Sequence, residues 1–169
     1  MHSDRLFGPS LTTAKMAAAV SDEAWLAAML RFESALAAVQ ARLGLISEDA
    51  AAAIASACEQ PFDAGVIGRE VSESASPVVP LVSALRQTVG KKFATQVHYN
   101  ATSQDTLDTA MMLVARDGLE LLLDGVDELA AACALLQHSS RDSNGRAHAD
   151  AGGASNDVRI QGPHSGSRA

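Results

Sequence analysis

"HYNATSQDTLDTAMMLVARDGLELLLDGVDELAAACALLQ", residues 98–137, joins a polar turn to the longest apolar-periodic run in the chain. From Asp105 onward one stripe recurs at helical spacing: Leu107, Met111, Val114, Leu122, Val126, Leu129, Cys133 and Leu136. That spacing predicts a single long helix with the stripe facing inward. Gly118 falls on the stripe, where it admits a close neighbour, and Gly118 and Gly125 each cost about 1 kcal/mol relative to alanine. A helix this long and this apolar is not stable by itself and calls for partner helices.

Working outward, composition agrees with helix packing. The 169 residues are 47% apolar, much of it alanine, and only 4% aromatic. Strand-favouring residues are scarce and helix formers abundant, so the expected fold class is all-α. The length suits one domain with a real core. A formal charge of −7 argues against nucleic acid or a membrane surface as a partner, since phosphates call for a basic stripe. A small anion remains compatible with a locally positive site. Cys58 and Cys133, far apart and in apolar helical contexts, read as reduced, core-packed thiols, with no disulfide and no metal site expected. The opening "MHSDRLFGPS" carries no apolar signal segment, so a soluble, cytoplasmic protein is expected.

Residues 1–20 read as an extended lead-in with a turn at Gly8-Pro9. Ser21 caps a helix whose stripe is Trp25, Met29, Phe32, Leu36, Val39 and Leu43, with Gly44 as its stop. Ser47 caps a shorter helix ending before Pro61. "FDAGVIGREV" predicts one or two helical turns, and "SESASPVVPLVSALRQTVG" a loop leading into a helix from about Leu81 to Gln87. "GKKFATQVHYN" is a second loop. After about His138 almost no large apolar residues remain and the periodicity stops, so residues 139–169 are expected to be disordered. His148 and His164 in that tail lack metal-ligand spacing.

The polar turn has two readings. Thr102 and Asp105 have the spacing of a capping box, with Ser103 as an alternative cap. The same physics serves an anion, because a helix N-terminus presents unpaired amides and partial positive charge. Thr102 and Ser103 then add hydroxyl donors, Gln104 an amide and His98 a switchable donor, while Asn100 tolerates a left-handed backbone.

"VHYNATSQDTLDTA" resembles the first signature region of the fumarase/aspartase superfamily, which reads His-x-Gly-Ala-Thr-Ser-x-Asp followed by Asp-Thr-Ala. "LFGPSLTTAKM", "SDEAWLAAMLRFESALAAVQARLGLI" and "SPVVPLVSALR" are similar to the 3-carboxy-cis,cis-muconate cycloisomerase branch at corresponding places. The resemblance covers roughly residues 5–138. It implies an N-terminal helical domain (1–103), the start of a long-helix bundle (104–138) and a tail outside the fold (139–169). It further implies that Thr102 and Ser103 bind a substrate carboxylate, that His98 and Gln104 line the pocket, and that Ser76 lies near the substrate.

The implied reaction needs no cofactor. A carboxylate adds intramolecularly to a double bond and closes a lactone, as in aromatic-acid breakdown through the β-ketoadipate route. The implied assembly is a homotetramer whose active site combines regions of different subunits. Two positions depart from the pattern. Asn100 stands where relatives carry glycine, and Ala75-Ser76 stand where they carry Gly-Asn, so Ser76 lacks an amide. The adenylosuccinate lyase branch, with Arg-His-Asp at the place of Ala75-Ser76-Pro77, ranks second. A non-catalytic helical module that oligomerises through its long helix is the reading from another class.

The superfamily's second signature and the loop bearing its catalytic serine have no counterpart here, so no catalytic residue is assigned and the chain by itself is expected to be inactive. Read one base later, the codons of Ser139–Gly162 permit HRETPMAGRTLMQEALPTTFGFKA, which contains the second signature in register. An out-of-frame tail after His138 is the corresponding expectation, checked by the nucleotide sequence at that codon. The stripe from Leu107 to Leu136 then lacks its partners, and self-association or aggregation is expected.

Overall fold

The computed structural model describes residues 11–152, with side chains described from Leu11 to Gln137. Its helices are α1 (Ala14–Ala19), α2 (Asp22–Arg42), α3 (Glu48–Cys58), α4 (Ala64–Ser74), α5 (Val78–Val89) and α6 (Ser103–Gly152), with a 3-10 turn at Ala94–Gln96. No strand occurs among the described residues, and the all-α expectation holds.

Capping chemistry sets the helix starts. Thr13, Ser21, Ser47 and Asp63 each accept a hydrogen bond from the amide three residues on, at 3.0–3.2 Å. Gly44, at φ +70°, ends α2 as expected. The Leu45 amide reaches back to the Gln40 carbonyl and the Gly44 amide to that of Ala41.

Several expectations need correction. Residues 14–19 form a helix where an extended lead-in was expected; residues 1–10 lie outside the described residues. α4 makes three turns instead of one or two, and α5 begins at Val78, before Leu81. Pro80 sits in the first turn of α5, where its missing N–H would have had no partner anyway.

The chain divides into two compact units, one ending at Leu123 and one beginning at Asp124. In the first, α2 packs on α3, and both α3 and α4 pack on α5. Leu26, Met29 and Leu30 from α2, Ile54 from α3, Ile67 from α4 and Val78, Leu81 and Leu85 from α5 are buried together with Val97, Ala110 and Val114. Each large aliphatic so buried contributes about 1.5–3 kcal/mol.

The buried face of α2 differs from the expected stripe. Val39 and Leu43 are exposed, and the inward positions are Leu26, Met29, Leu30, Glu33, Ala37 and Gln40. A count of apolar residues misses this face because two of its members are polar. α6 is shifted in the same way. Up to Leu123 its buried positions are Thr106, Ala110, Val114 and Gly118, whereas Met111 and Leu122 are exposed and Leu107 is half-buried. A Cβ on Gly118 would meet Met16 Sδ at 3.7 Å and Val20 Cγ1 at 3.8 Å, so the close neighbour expected there comes from α1 and its C-cap residue.

In the second unit Val126, Leu129, Leu135 and Leu136 are exposed. Cys133, expected in a core, is exposed as well; Cys58 is half-buried. The backbone helix runs to Gly152, past His138 where the apolar pattern stops. The remainder of the tail for which disorder is expected, 153–169, lies outside the described residues, as does His164, while His148 falls where side chains are not described.

Candidate functional site

The polar turn between the 3-10 turn and α6 is held at three successive residues. Arg86 donates to the Val97 carbonyl at 3.2 Å, and Gln40 donates its amide to the Tyr99 carbonyl. Between them, Nδ1 of His98 lies 2.7 Å from Oε1 of Glu33. His98 and Asn100 adopt φ of +58° and +51°. The Asn100 value is the left-handed backbone that the sequence led one to expect of this asparagine. That of His98 was not foreseen. Left-handed backbone costs a non-glycine residue roughly 1–2 kcal/mol, so these outside hydrogen bonds must hold the turn in shape.

Glu33 sits under the turn, 1% exposed. Its Oε1 takes both His98 Nδ1 and the Thr106 hydroxyl, the latter at 3.3 Å. Oε2 is buried and meets no donor among the described residues. Glu33, Gln40 and Thr106 are the buried polar residues of the unit, and sequence reasoning missed all three. The available signal was a glutamate and a glutamine seven residues apart, two helical turns, on an otherwise apolar helix.

At the start of α6 the capping box forms. The Thr102 amide and hydroxyl each donate to Asp105 Oδ2 at 2.8 Å, and the Asp105 amide donates back to Thr102 Oγ1 at 3.3 Å. The Thr102 amide and hydroxyl hold the Asp105 carboxyl below its ordinary 3.8, with His98 as a smaller electrostatic contributor. Gln104 donates its side-chain amide to Asp108 at 2.6 Å. Thr102 and Gln104 are therefore engaged within α6. The Ser103 hydroxyl and the backbone amides of Ser103 and Gln104 have no protein partner among the described residues.

The structure brings His98, Thr102, Ser103 and Gln104 into one turn, and among the described residues no hydrogen bond links Ser76 to it. Ser76 follows Ala75, the left-handed C-cap of α4 at φ +55°, and its hydrogen bonds are local, to Ser74 and to the Val78 amide. Cavities among the described residues lie elsewhere. One of about 420 Å³ is lined by Leu30, Arg31, Cys58 and Phe62, one by Trp25, Met29, Ile67 and Pro77, and one by Arg86, Gln87, Lys91 and Ala94. In the first, burial, followed by the charges of Glu33 and Glu59, pushes the Cys58 thiol up to about 12, so it is protonated and unreactive at neutral pH. The candidate turn is an exposed edge of this chain, with Asn100, Thr102 and Gln104 open to solvent. Such an edge can form one wall of a pocket.

The model of a family described as lyase matches residues 9–143, and the chain belongs to that family, the fumarate lyase superfamily. It is 44% identical over 140 residues to a nitrosuccinate lyase of Streptomyces davaonensis, covering 80% of this chain and 30% of the relative. With a 3-carboxy-cis,cis-muconate cycloisomerase of Pseudomonas putida it shares 35% identity over 132 residues, covering 76% of this chain and 31% of that one. The crystal structure of 3-carboxy-cis,cis-muconate lactonizing enzyme from Pseudomonas putida superposes with a TM-score of 0.66 at 37% identity, covering 70% of this chain and 28% of that one. The chain thus spans about three tenths of the length of the relatives it matches. No helix among the described residues is long and apolar enough to cross a membrane.

Proposed function

We propose that this chain forms the carboxylate-holding wall of a 3-carboxy-cis,cis-muconate cycloisomerase-type active site. The observation that carries the reading is the His98–Gln104 turn. It is left-handed at two non-glycine residues, is held from beneath by Glu33, Gln40 and Arg86, and presents the Ser103 hydroxyl and two unpaired amides at a helix N-terminus. These donors suit a carboxylate, and His98 adds an imidazole beside them.

The Asp105 carboxylate, which closes the capping box, opposes an incoming anion. Its charge is partly satisfied by the two Thr102 bonds, which leaves Ser103 as the principal hydroxyl for substrate. Addition of a carboxylate across a double bond needs a proton donor and fixed donors for the developing negative charge. The turn supplies the latter. The proton-transferring group is drawn from other parts of the assembled enzyme, so the chain by itself is expected to bind without turnover.

The test is a titration of the 15N-labelled chain with 3-carboxy-cis,cis-muconate. Shifts at the Ser103 and Gln104 amides that vanish in Ser103→Ala are expected, with no lactone formed. Binding that leaves those amides unmoved, or that survives Ser103→Ala unchanged, overturns the reading. A second reading, elimination from a substituted succinate, is favoured by the nitrosuccinate lyase relative and by the adenylosuccinate lyase resemblance. It predicts tighter binding of nitrosuccinate than of the muconate at the same amides. Self-association through the exposed apolar residues of α6 completes the proposal, because a site with one wall needs further chains.

A further inference from the structure

We propose that Glu33 is the positioning residue of this site, holding His98 in the tautomer that leaves Nε2 for the substrate. The proposal deepens the carboxylate-site reading and rests on it for the substrate, though not for the state of the imidazole.

The argument begins with burial. A glutamate 1% exposed in the middle of an apolar helix is costly unless its charge or its hydrogen bonding is used. The two hydrogen-bond partners of Glu33 both come from the walls of the candidate site: His98 Nδ1 at 2.7 Å, from the left-handed turn, and the Thr106 hydroxyl at 3.3 Å, from the first turn of α6. One carboxylate oxygen thereby ties α2 to both sides of the polar turn.

A carboxylate accepts, so Nδ1 must carry the proton in this contact. In a neutral imidazole Nε2 is then the basic nitrogen, able to accept from a substrate acid or from water, and in the cation it is a donor. The backbone at this residue is unusual as well. His98 takes φ +58°, a left-handed conformation uncommon for a residue other than glycine. The second oxygen, buried and without a protein donor among the described residues, offers no competing anchor for the side chain.

The test uses the chain itself. Two-bond 1H–15N correlation of the His98 ring at neutral pH is expected to show Nδ1 protonated and Nε2 bare. Glu33→Leu places an apolar side chain at the buried position and removes the acceptor, and is expected to abolish that preference and to weaken 3-carboxy-cis,cis-muconate binding about tenfold. The helical circular dichroism should stay intact. Glu33→Gln retains an oxygen that can accept from Nδ1 and is expected to restore part of both properties. Thr106→Val removes the other partner and should leave the tautomer unchanged.

A wild-type ring protonated on Nε2 overturns the proposal, as does a folded Glu33→Leu chain with unaltered tautomer and affinity. If Glu33→Leu unfolds, Glu33→Gln decides: a ring and an affinity identical to those of Glu33→Ala, with no partial rescue, also overturn it. If the wild type binds no muconate while its ring reads as expected, the substrate assignment has failed and the Glu33–His98 coupling stands.

Discussion

α6 contains two contrasting regions. From Ser103 to Leu123 it buries Thr106, Ala110, Val114 and Gly118 within a unit that also holds α1 to α5. From Asp124 onward the same helix exposes Val126, Leu129, Leu135 and Leu136. The apolar periodicity barely changes across Leu123. What changes is the supply of neighbours. Periodicity shows that a face wants cover, and only packing shows whether the same chain provides it.

Truncating one large residue in each region breaks or sharpens that contrast most strongly. Leu85→Ala, in a fully buried position, is expected to cost about 2–5 kcal/mol in chemical denaturation. Leu129→Ala is expected to cost less than about 0.5 kcal/mol in the monomer, while lowering the oligomer fraction in sedimentation. Equal destabilisation by the two would mean that the second region is packed after all.

The cap of α6 comes next. Thr102→Ala is expected to cost about 1 kcal/mol, read as an earlier thermal transition. The cap also carries a pH signature. The Asp105 carboxyl is depressed in the folded chain, so its contribution is present above its ordinary 3.8 and is lost as pH falls through the lower folded value. Circular dichroism should record an acid loss of stability in that window, and Asp105→Asn should flatten it. An unchanged acid profile in that variant would mean that the box does not form in solution.

The smallest effect is expected at Ala75, held at φ +55°. Relief of left-handed strain, about 1 kcal/mol or more, is partly offset by the freedom glycine adds to the unfolded chain. Ala75→Gly should therefore stabilise by about 0.5 kcal/mol. A destabilised variant would argue against the left-handed cap.

The sequence alone determined the elements whose causes are local. The caps at Ser21 and Ser47, the stop at Gly44, the capping box of Thr102 and Asp105 and the left-handed Asn100 all follow from side-chain and backbone preferences within a few residues. So did the all-α class and the family, since the turn motif is contiguous. Tertiary structure decided the inward faces of α2 and α6, and with them the polar floor of the site. Glu33 and His98 stand 65 positions apart, and Glu33 and Thr106 stand 73. A buried carboxylate on an apolar stripe looks like a surface residue until the partner that satisfies it is folded against it, because burial of charge is set by distant donors and not by neighbours in the chain.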